Sequence, residues 1–433
     1  MFVSDCLNVN ESGNLTIGGA DCEELAKRFG TPLYAMDEGL IRDNCRRYKN
    51  ALDEYFDGNG LILYASKAFC CKAMCRIAAD EGLGLDVVSE GELYTAISAG
   101  FPAKKIIFHG NNKKYSELQL AVEHDLGAVV VDNLTELETL DKIAKKFGKT
   151  VRIMLRIKPG VDAHTHDFIR TGQIDSKFGF ALETGEAFAA IKTAVSCQNL
   201  SLTALHCHIG SQIFEVEPYE YASGIMLGLM KRVRDELGYT VPGLNLGGGF
   251  GIKYTQSNTP VDYDEHIKCV ARAVRAGCEK LGLPVPRLYF EPGRSIVGSA
   301  GITLYTVGAV KEIPGVRTYV SIDGGMTDNP RYALYGAQYE ATTVKNAAAP
   351  REYPITLAGK CCESGDLIGK DIPLQRVVPG DLIAVFATGA YNYSMASNYN
   401  RIPRPPVVMV HDGTARLVVR GETLENLVKN DLD

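Results

Sequence analysis

The chain has 433 residues, 45% of them hydrophobic and 23% charged, with a formal net charge of −6. That length exceeds one ordinary core and suits a large α/β domain plus a second domain. The slightly acidic balance offers no basic face to nucleic acid or to an anionic membrane, and no apolar run is long enough to span a bilayer.

The N-terminus, Met1-Phe2-Val3-Ser4-Asp5-Cys6, lacks the basic-then-apolar order of a secretion signal, which predicts a cytoplasmic protein. Residues 1–37 read as short strands and a brief helix, with Thr31-Pro32-Leu33-Tyr34-Ala35-Met36 as a strand. A helix follows over 39–55, with apolar Leu40, Ile41, Tyr48 and Leu52.

Strands and helices then alternate. Strands are predicted at 61–66, 84–88, 105–108, 127–131, 150–157, 202–207, 243–246 and 286–290. Helices lie between them at 70–81, 90–99, 114–124, 134–147, 183–195, 217–237 and 262–281. The strands are continuously apolar, as when both faces of a sheet are covered. Such alternation over about 250 residues is the size of a (β/α)8 TIM-like barrel. An open, doubly wound sheet is the competitor, and the positions of the polar residues favour the barrel. After 291 the texture changes to short β runs at 302–310, 317–322, 354–358, 382–386, 406–410 and 415–420. The expected organisation is a barrel over 38–290 and an all-β domain from 1–37 plus 291–433.

Barrel chemistry sits beyond the C-terminal ends of the strands. Lys67 follows the apolar run Leu61-Ile62-Leu63-Tyr64-Ala65, where desolvation would lower its pKa and free its amine for imine formation. His208 and Ser211 follow the sixth strand, Gly247-Gly248-Gly249 the seventh, and Glu291-Pro292-Gly293-Arg294 the eighth. A glycine run lets backbone N–H groups approach a phosphate, and it also makes a tight turn. His208 reads as a ring-stacking group or a core histidine. Glu291 needs a partner, since burying a lone carboxylate costs several kcal/mol. Together a lysine, a phosphate loop, a flat ring and a carboxylate suit pyridoxal 5′-phosphate.

Twelve cysteines are scattered along the chain and read as free thiols. Cys70, Cys71 and Cys75 crowd one turn of a predicted helix as small core residues, and His164 with His166 reads as a polar loop; no metal is expected.

The runs Tyr64-Ala65-Ser66-Lys67, His208-Ile209-Gly210-Ser211-Gln212, Gly247-Gly248-Gly249, Glu291-Pro292-Gly293-Arg294 and Cys362-Glu363-Ser364-Gly365-Asp366 resemble fold-type III pyridoxal-phosphate-dependent decarboxylases. Within them the chain is most similar to the diaminopimelate decarboxylase family, from about Thr31 to Pro406, with Thr171-Gly172 and Ser176-Lys177-Phe178-Gly179 among the more specific pieces. The resemblance implies an alanine-racemase-like fold, decarboxylation of meso-2,6-diaminopimelate to L-lysine, and a homodimer with shared active sites. It assigns Lys67 to the cofactor imine, His208 to ring stacking and Glu291 to the pyridine nitrogen. Ser211, Gly248, Gly249, Gly293, Arg294 and Tyr391 would surround the cofactor. Arg294, Arg331, Tyr335 and Tyr391 would bind the substrate's distal carboxylate and its surroundings, Glu363 its distal ammonium. Cys362, from the partner subunit, would supply the proton that replaces carbon dioxide.

An arginine fork matches a carboxylate, and a carboxylate matches an ammonium. Read without the resemblance, Arg331 and Tyr335 suit a solvated turn after Asn329-Pro330, and Cys362 a buried structural thiol. One departure is the segment Gly336-Ala337-Gln338-Tyr339-Glu340, without the histidine many members carry near Tyr339. Asp86 and Glu90 are expected to orient Lys67 or the cofactor. The alternatives are a decarboxylase of ornithine- or lysine-type polyamine precursors, whose substrates lack the distal carboxylate, an amino-acid racemase, and a non-enzymatic binding module that would need neither Lys67 nor Cys362.

Overall fold

A computed structural model describes residues 2–160 and 175–432, so His164, His166, Thr171 and Gly172 lie outside the described residues. The chain forms two compact units: Asn44–Gly251 with Pro260–Gly293, and Met1–Asp43 with Ile252–Thr259 and Arg294–Asp433.

The first unit is a closed barrel. Its eight strands are Gly60–Ala65, Gly84–Val87, Ile106–Phe108, Ala128–Val131, Val151–Lys158, Leu200–His206, Gly243–Asn245 and Arg287–Phe290. Each pairs in parallel with the next, and the eighth closes on the first through Leu288↔Gly60, Tyr289↔Leu61 and Phe290↔Ile62. Closure removes the sheet edges that the doubly wound alternative would have left. Leu63, Ile107, Ala128, Val130, Met154 and Ala204 pack together as a core cluster. Strand residues alternate in direction, so Ile62 and Tyr64 point away from Leu63, yet they are buried as well. Burial on both faces is why the strands read as unbroken apolar runs.

The barrel helices begin and end on local signals. Ser89, Asn133 and Asp262 accept backbone N–H groups at the starts of Glu90–Ser98, Leu134–Phe147 and Tyr263–Leu281. Gly148, Gly238 and Gly282 close helices in the left-handed conformation that glycine tolerates. The first barrel helix after Lys67 is Lys72–Asp80, so Cys70 and Cys71 precede it and Cys75 alone lies within it. No helix among the described residues is long and apolar enough to cross a membrane.

The second unit is built on the long strand Gly301–Ile313. Leu33–Asp37 pairs antiparallel with it and parallel with Val407–His411, so a strand from near the start of the chain is interior to the sheet. Leu382–Val385 and Arg317–Ile322 also pair with the long strand. Ile302 and Leu304 contribute to one core with Leu15, Leu33 and Val408, while Tyr305 and Val307 contribute to another with Val320, Leu357 and Ile368.

Two strands here differ from expectation. Leu367–Leu374 is interrupted by Gly369, Lys370, Asp371 and Pro373, and it pairs with Tyr353–Ala358 through two register shifts. Ala341–Thr343 has only three residues and borrows its order from Leu382–Val385. Pairing rather than apolar alternation defines both.

Leu63 is fully buried inside the barrel. Leu63→Ala is expected to cost about 2–5 kcal/mol through lost transfer energy and a residual cavity, read as a lower urea midpoint for the barrel unit.

Candidate active site

In the barrel unit four chain segments meet at the C-terminal ends of the strands. The Ala65 N–H donates to the Pro292 carbonyl, joining the end of the first strand to the segment after the eighth. Glu291 N–H donates to the Gly247 carbonyl, which ties in the glycine run. Ile213 N–H donates to the Gly249 carbonyl and Gly251 N–H to the Ile213 carbonyl, so the His208–Gln212 segment lies along the same run. Lys67, His208, Ser211, Gly248, Gly249, Glu291 and Gly293 therefore share one end of the barrel.

The glycines are required by packing. Gly249 has φ +108°, and a Cβ there would meet the Gly210 carbonyl oxygen at 2.5 Å. A Cβ on Gly248 would lie 2.1 Å from the Glu291 carbonyl oxygen. This close backbone approach serves a tight turn and also leaves a side-chain-free cradle.

Glu291 is buried. Its Oε1 lies 2.9 Å from His109 Nε2 and accepts from Asn245 Nδ2 at 2.7 Å, and its Oε2 lies 3.2 Å from His206 Nε2. Burial works to raise its pKa, but His109 and His206 outweigh it and hold the carboxyl well below its usual range. Burial brings the His206 imidazole down to about 4, so near neutral pH it is an uncharged N–H donor. His109, His206 and Glu291 are the one group among the described residues with metal-like spacing. Their mutual contacts account for that closeness without an ion.

Asp86 is buried 3.7 Å from His109, and burial raises its pKa. Glu90 is exposed, contrary to its expected orienting role. The carboxylate two residues on, Glu92, couples by charge to Lys67, as Asp86 does. Burial pushes Glu92 up to about 7, and it accepts the Val88 N–H at 2.8 Å. Lys67 sits in a short helical turn, Ser66–Ala68, and its side chain is exposed, so packing within this chain does not supply the desolvation expected from the strand. His208 is half-buried. Desolvation, with the positive charges of Lys67 and Arg156, holds its imidazole well below its ordinary pKa, so the ring is neutral.

Sequence reasoning missed His109, Asp132, Arg156, His206 and Asn245. His109, Asp132, His206 and Asn245 lie at or one position beyond a strand end, and Arg156 lies within the strand Val151–Lys158.

The second unit holds the other assigned residues. Arg331 and Tyr335 lie on a short helix, Arg331–Tyr335, and not on a solvated turn; Arg331 is buried. The Asp328 carboxyl accepts from Tyr305 Oη and the Gly325 N–H, and its carbonyl accepts from Tyr34 Oη, which fixes the entry to that helix. Burial raises the Asp328 pKa to about 7. Arg294, on the helix Arg294–Val297, is buried, and its guanidinium lies 4.7 Å from the Tyr391 ring centre. Cys362 and Glu363 lie on an exposed turn, and Asp366 holds that turn by accepting the Cys361 and Met326 N–H groups. Of the two neighbouring thiols Cys361 is the buried one, pushed up to about 11 by desolvation, and Cys362 is exposed.

A family model described as "Pyridoxal-dependent decarboxylase, pyridoxal binding domain" matches residues 38–298. Diaminopimelate decarboxylase of Bacillus subtilis (strain 168) is 50% identical over 435 residues, covering 100% of this chain and 98% of the relative. A crystal structure of diaminopimelate decarboxylase from M. jannaschii in co-complex with L-lysine superposes with TM-score 0.92 at 36% identity, covering 100% of this chain and 99% of that one. A lysine/ornithine decarboxylase from Vibrio vulnificus, complexed with putrescine, gives TM-score 0.76 at 27% identity, covering 90% and 97%.

The His206 shift sets a pH dependence of stability. An unfolded histidine gains a proton near pH 6.5, whereas folded His206 resists until about 4. Between those values the unfolded chain binds more protons, so stability falls as pH drops through that window. His206→Gln is expected to flatten this slope by up to about 3 kcal/mol, measured by urea unfolding between pH 7 and pH 4.

Proposed function

The chain belongs to the diaminopimelate decarboxylase family of pyridoxal-dependent decarboxylases, and from that premise we propose that it binds pyridoxal 5′-phosphate and converts meso-2,6-diaminopimelate to L-lysine and carbon dioxide. One observation carries the reading: a buried carboxylate, kept ionised, shares the barrel end with an amine, a neutral imidazole and a glycine cradle. These groups fit the cofactor. Lys67 would hold its aldehyde, Glu291 its protonated ring nitrogen and His208 its face. Gly248, Gly249, Gly293 and Ser211 would hold its phosphate side with Arg294 and Tyr391. When bound, the cofactor supplies an electron sink for the bond that breaks.

The protein's own groups do the rest. Neutral His208 packs on a ring without adding positive charge beside it. Glu291 keeps its charge because the Asn245 amide and the His109 and His206 rings beside it offset its burial. The substrate carries an amino-acid group at each end, so the end that does not react must be recognised. Arg294, Arg331, Tyr335 and Tyr391 bind that distal carboxylate, and Glu363 binds the distal ammonium. Carbon–carbon cleavage releases carbon dioxide, and the Cys362 Sγ delivers the proton that takes its place. The exposure of Cys362 supports a role facing outward from its own chain. The active form is a cytoplasmic homodimer in which Cys362 serves the partner's site. Two buried arginines argue against ornithine or lysine as substrate, since those lack the second carboxylate that would offset the buried charge.

With pyridoxal phosphate added, carbon dioxide release from meso-diaminopimelate is expected to exceed that from ornithine or lysine, and comparable release from ornithine would overturn the assignment. Lys67→Ala is expected to lose both turnover and the visible-edge absorbance of the bound cofactor. Cys362→Ala is expected to lower kcat by about 10²–10⁴-fold, and mixing it with Lys67→Ala should restore part of the activity only if sites are shared.

A further inference from the structure

Tyr254 belongs to the segment Ile252–Thr259, which packs in the second unit. It is buried, and its hydroxyl accepts from Arg294 Nη1 at 2.5 Å. The Arg331 guanidinium lies 4.8 Å from the Tyr254 ring centre, so its charge also acts on that phenol. Tyr339 completes the group. Its ring meets the Tyr254 ring edge-on at 5.5 Å, and its hydroxyl accepts from Arg331 Nη1 at 2.9 Å. Two guanidiniums thus converge on one phenol, Arg294 at its oxygen and Arg331 at its ring, and a second phenol steadies Arg331.

Two like charges brought together in a buried site repel strongly unless something with negative character lies between them. The Tyr254 phenol occupies that position. Resting on the reading that Arg294 and Arg331 take the distal carboxylate, we propose that Tyr254 is a positioning residue for substrate recognition. Its phenol group aligns the two arginine forks while the site awaits substrate, so the incoming carboxylate meets cations already in place.

The charges around Tyr254 make this recognition proton-linked. Arg294 faces its hydroxyl, Arg331 and Tyr339 face its ring, Tyr391 lies beyond Arg294, and Glu340 accepts the Gln256 N–H of the same segment. Burial works to raise the Tyr254 pKa, but the two guanidiniums outweigh it and bring the phenol below its ordinary value. Burial raises Tyr339, which stays neutral. A rising pH therefore converts Tyr254 to a phenolate that competes with the carboxylate for the same two cations. Carboxylate binding returns the proton.

Tyr254→Phe removes only the hydroxyl. In the holoenzyme at neutral pH it is expected to raise KM for meso-diaminopimelate about tenfold, the cost of ordering two arginine side chains on binding, with kcat within about threefold. The ratio of variant to wild-type KM should fall as pH rises, because only the wild type acquires the competing phenolate. Unchanged KM, a loss confined to kcat, or a pH-independent ratio overturns the proposal. A readout independent of turnover is the near-ultraviolet phenolate band. The wild-type-minus-variant difference should titrate below the ordinary phenol range and diminish when L-lysine, which keeps the distal carboxylate, is added. No such band, or one indifferent to L-lysine, also overturns it. Should Y254F not fold, the effect of L-lysine on the wild-type band decides the matter. A wild type that releases no carbon dioxide from meso-diaminopimelate would end the functional reading, while the phenolate titration without ligand would still decide whether Tyr254 bridges the arginines.

Discussion

A carboxylate that stays charged while fully enclosed is the constraint on which the barrel end depends. Glu291 could not be ionised there alone; the cost of desolvation would neutralise it. Asn245 donates to one of its oxygens, His206 hydrogen-bonds the other, and His109 brings a ring nitrogen to 2.9 Å. These groups come from the ends of the third, sixth and seventh strands, and Glu291 follows the eighth. Only a closed parallel barrel delivers four such positions to one place. Fold and charge state are therefore one problem: opening the ring would separate these groups, and the carboxyl would then take up a proton.

The glycine run has two duties that the same geometry satisfies. Gly248 lies against the Glu291 carbonyl, where any side chain would collide, so the run is needed to seat the Glu291 backbone at all. The same lack of side chains leaves the cradle that a phosphate would require. A tight turn and an anion site are not competing explanations here. The turn brings Glu291 into register, and the bare backbone beside it is what remains for a ligand.

The barrel was legible because its strands are buried on both faces and carry an apolar pattern that needs no partner to be recognised. The helix Glu217–Leu237 and the strand Arg317–Ile322 have the boundaries read from sequence alone. The strand Leu367–Leu374 was not legible, because its order comes from pairing with Tyr353–Ala358 across two register shifts and not from alternation. Among the candidate residues, Lys67 and Glu291 stood out as charges ending apolar runs. His109 and His206 did not, since a histidine at a strand end looks like an ordinary core residue until its partner is known. Glu90 was read for Glu92 because sequence distance from the strand does not say which helical residue turns inward; the 3.6-residue period sends Glu90 to solvent and Glu92 toward the barrel end.

Tyr339 shows why a departure from a family pattern is best judged by its contacts. The resemblance leads one to expect a histidine near Tyr339, and its lack in Gly336–Glu340 reads as a lost substrate contact. In place of an imidazole, a phenol hydroxyl accepts from Arg331, and its ring supports Tyr254. A neutral acceptor suits this position better than an ionisable base would, since a protonated imidazole beside two guanidiniums would add to the repulsion. Tyr339 therefore keeps Arg331 held and adds no charge to the cluster. What the cluster requires at this position is an oxygen or nitrogen lone pair directed at Arg331, and tyrosine meets that need over a wider pH range than histidine could.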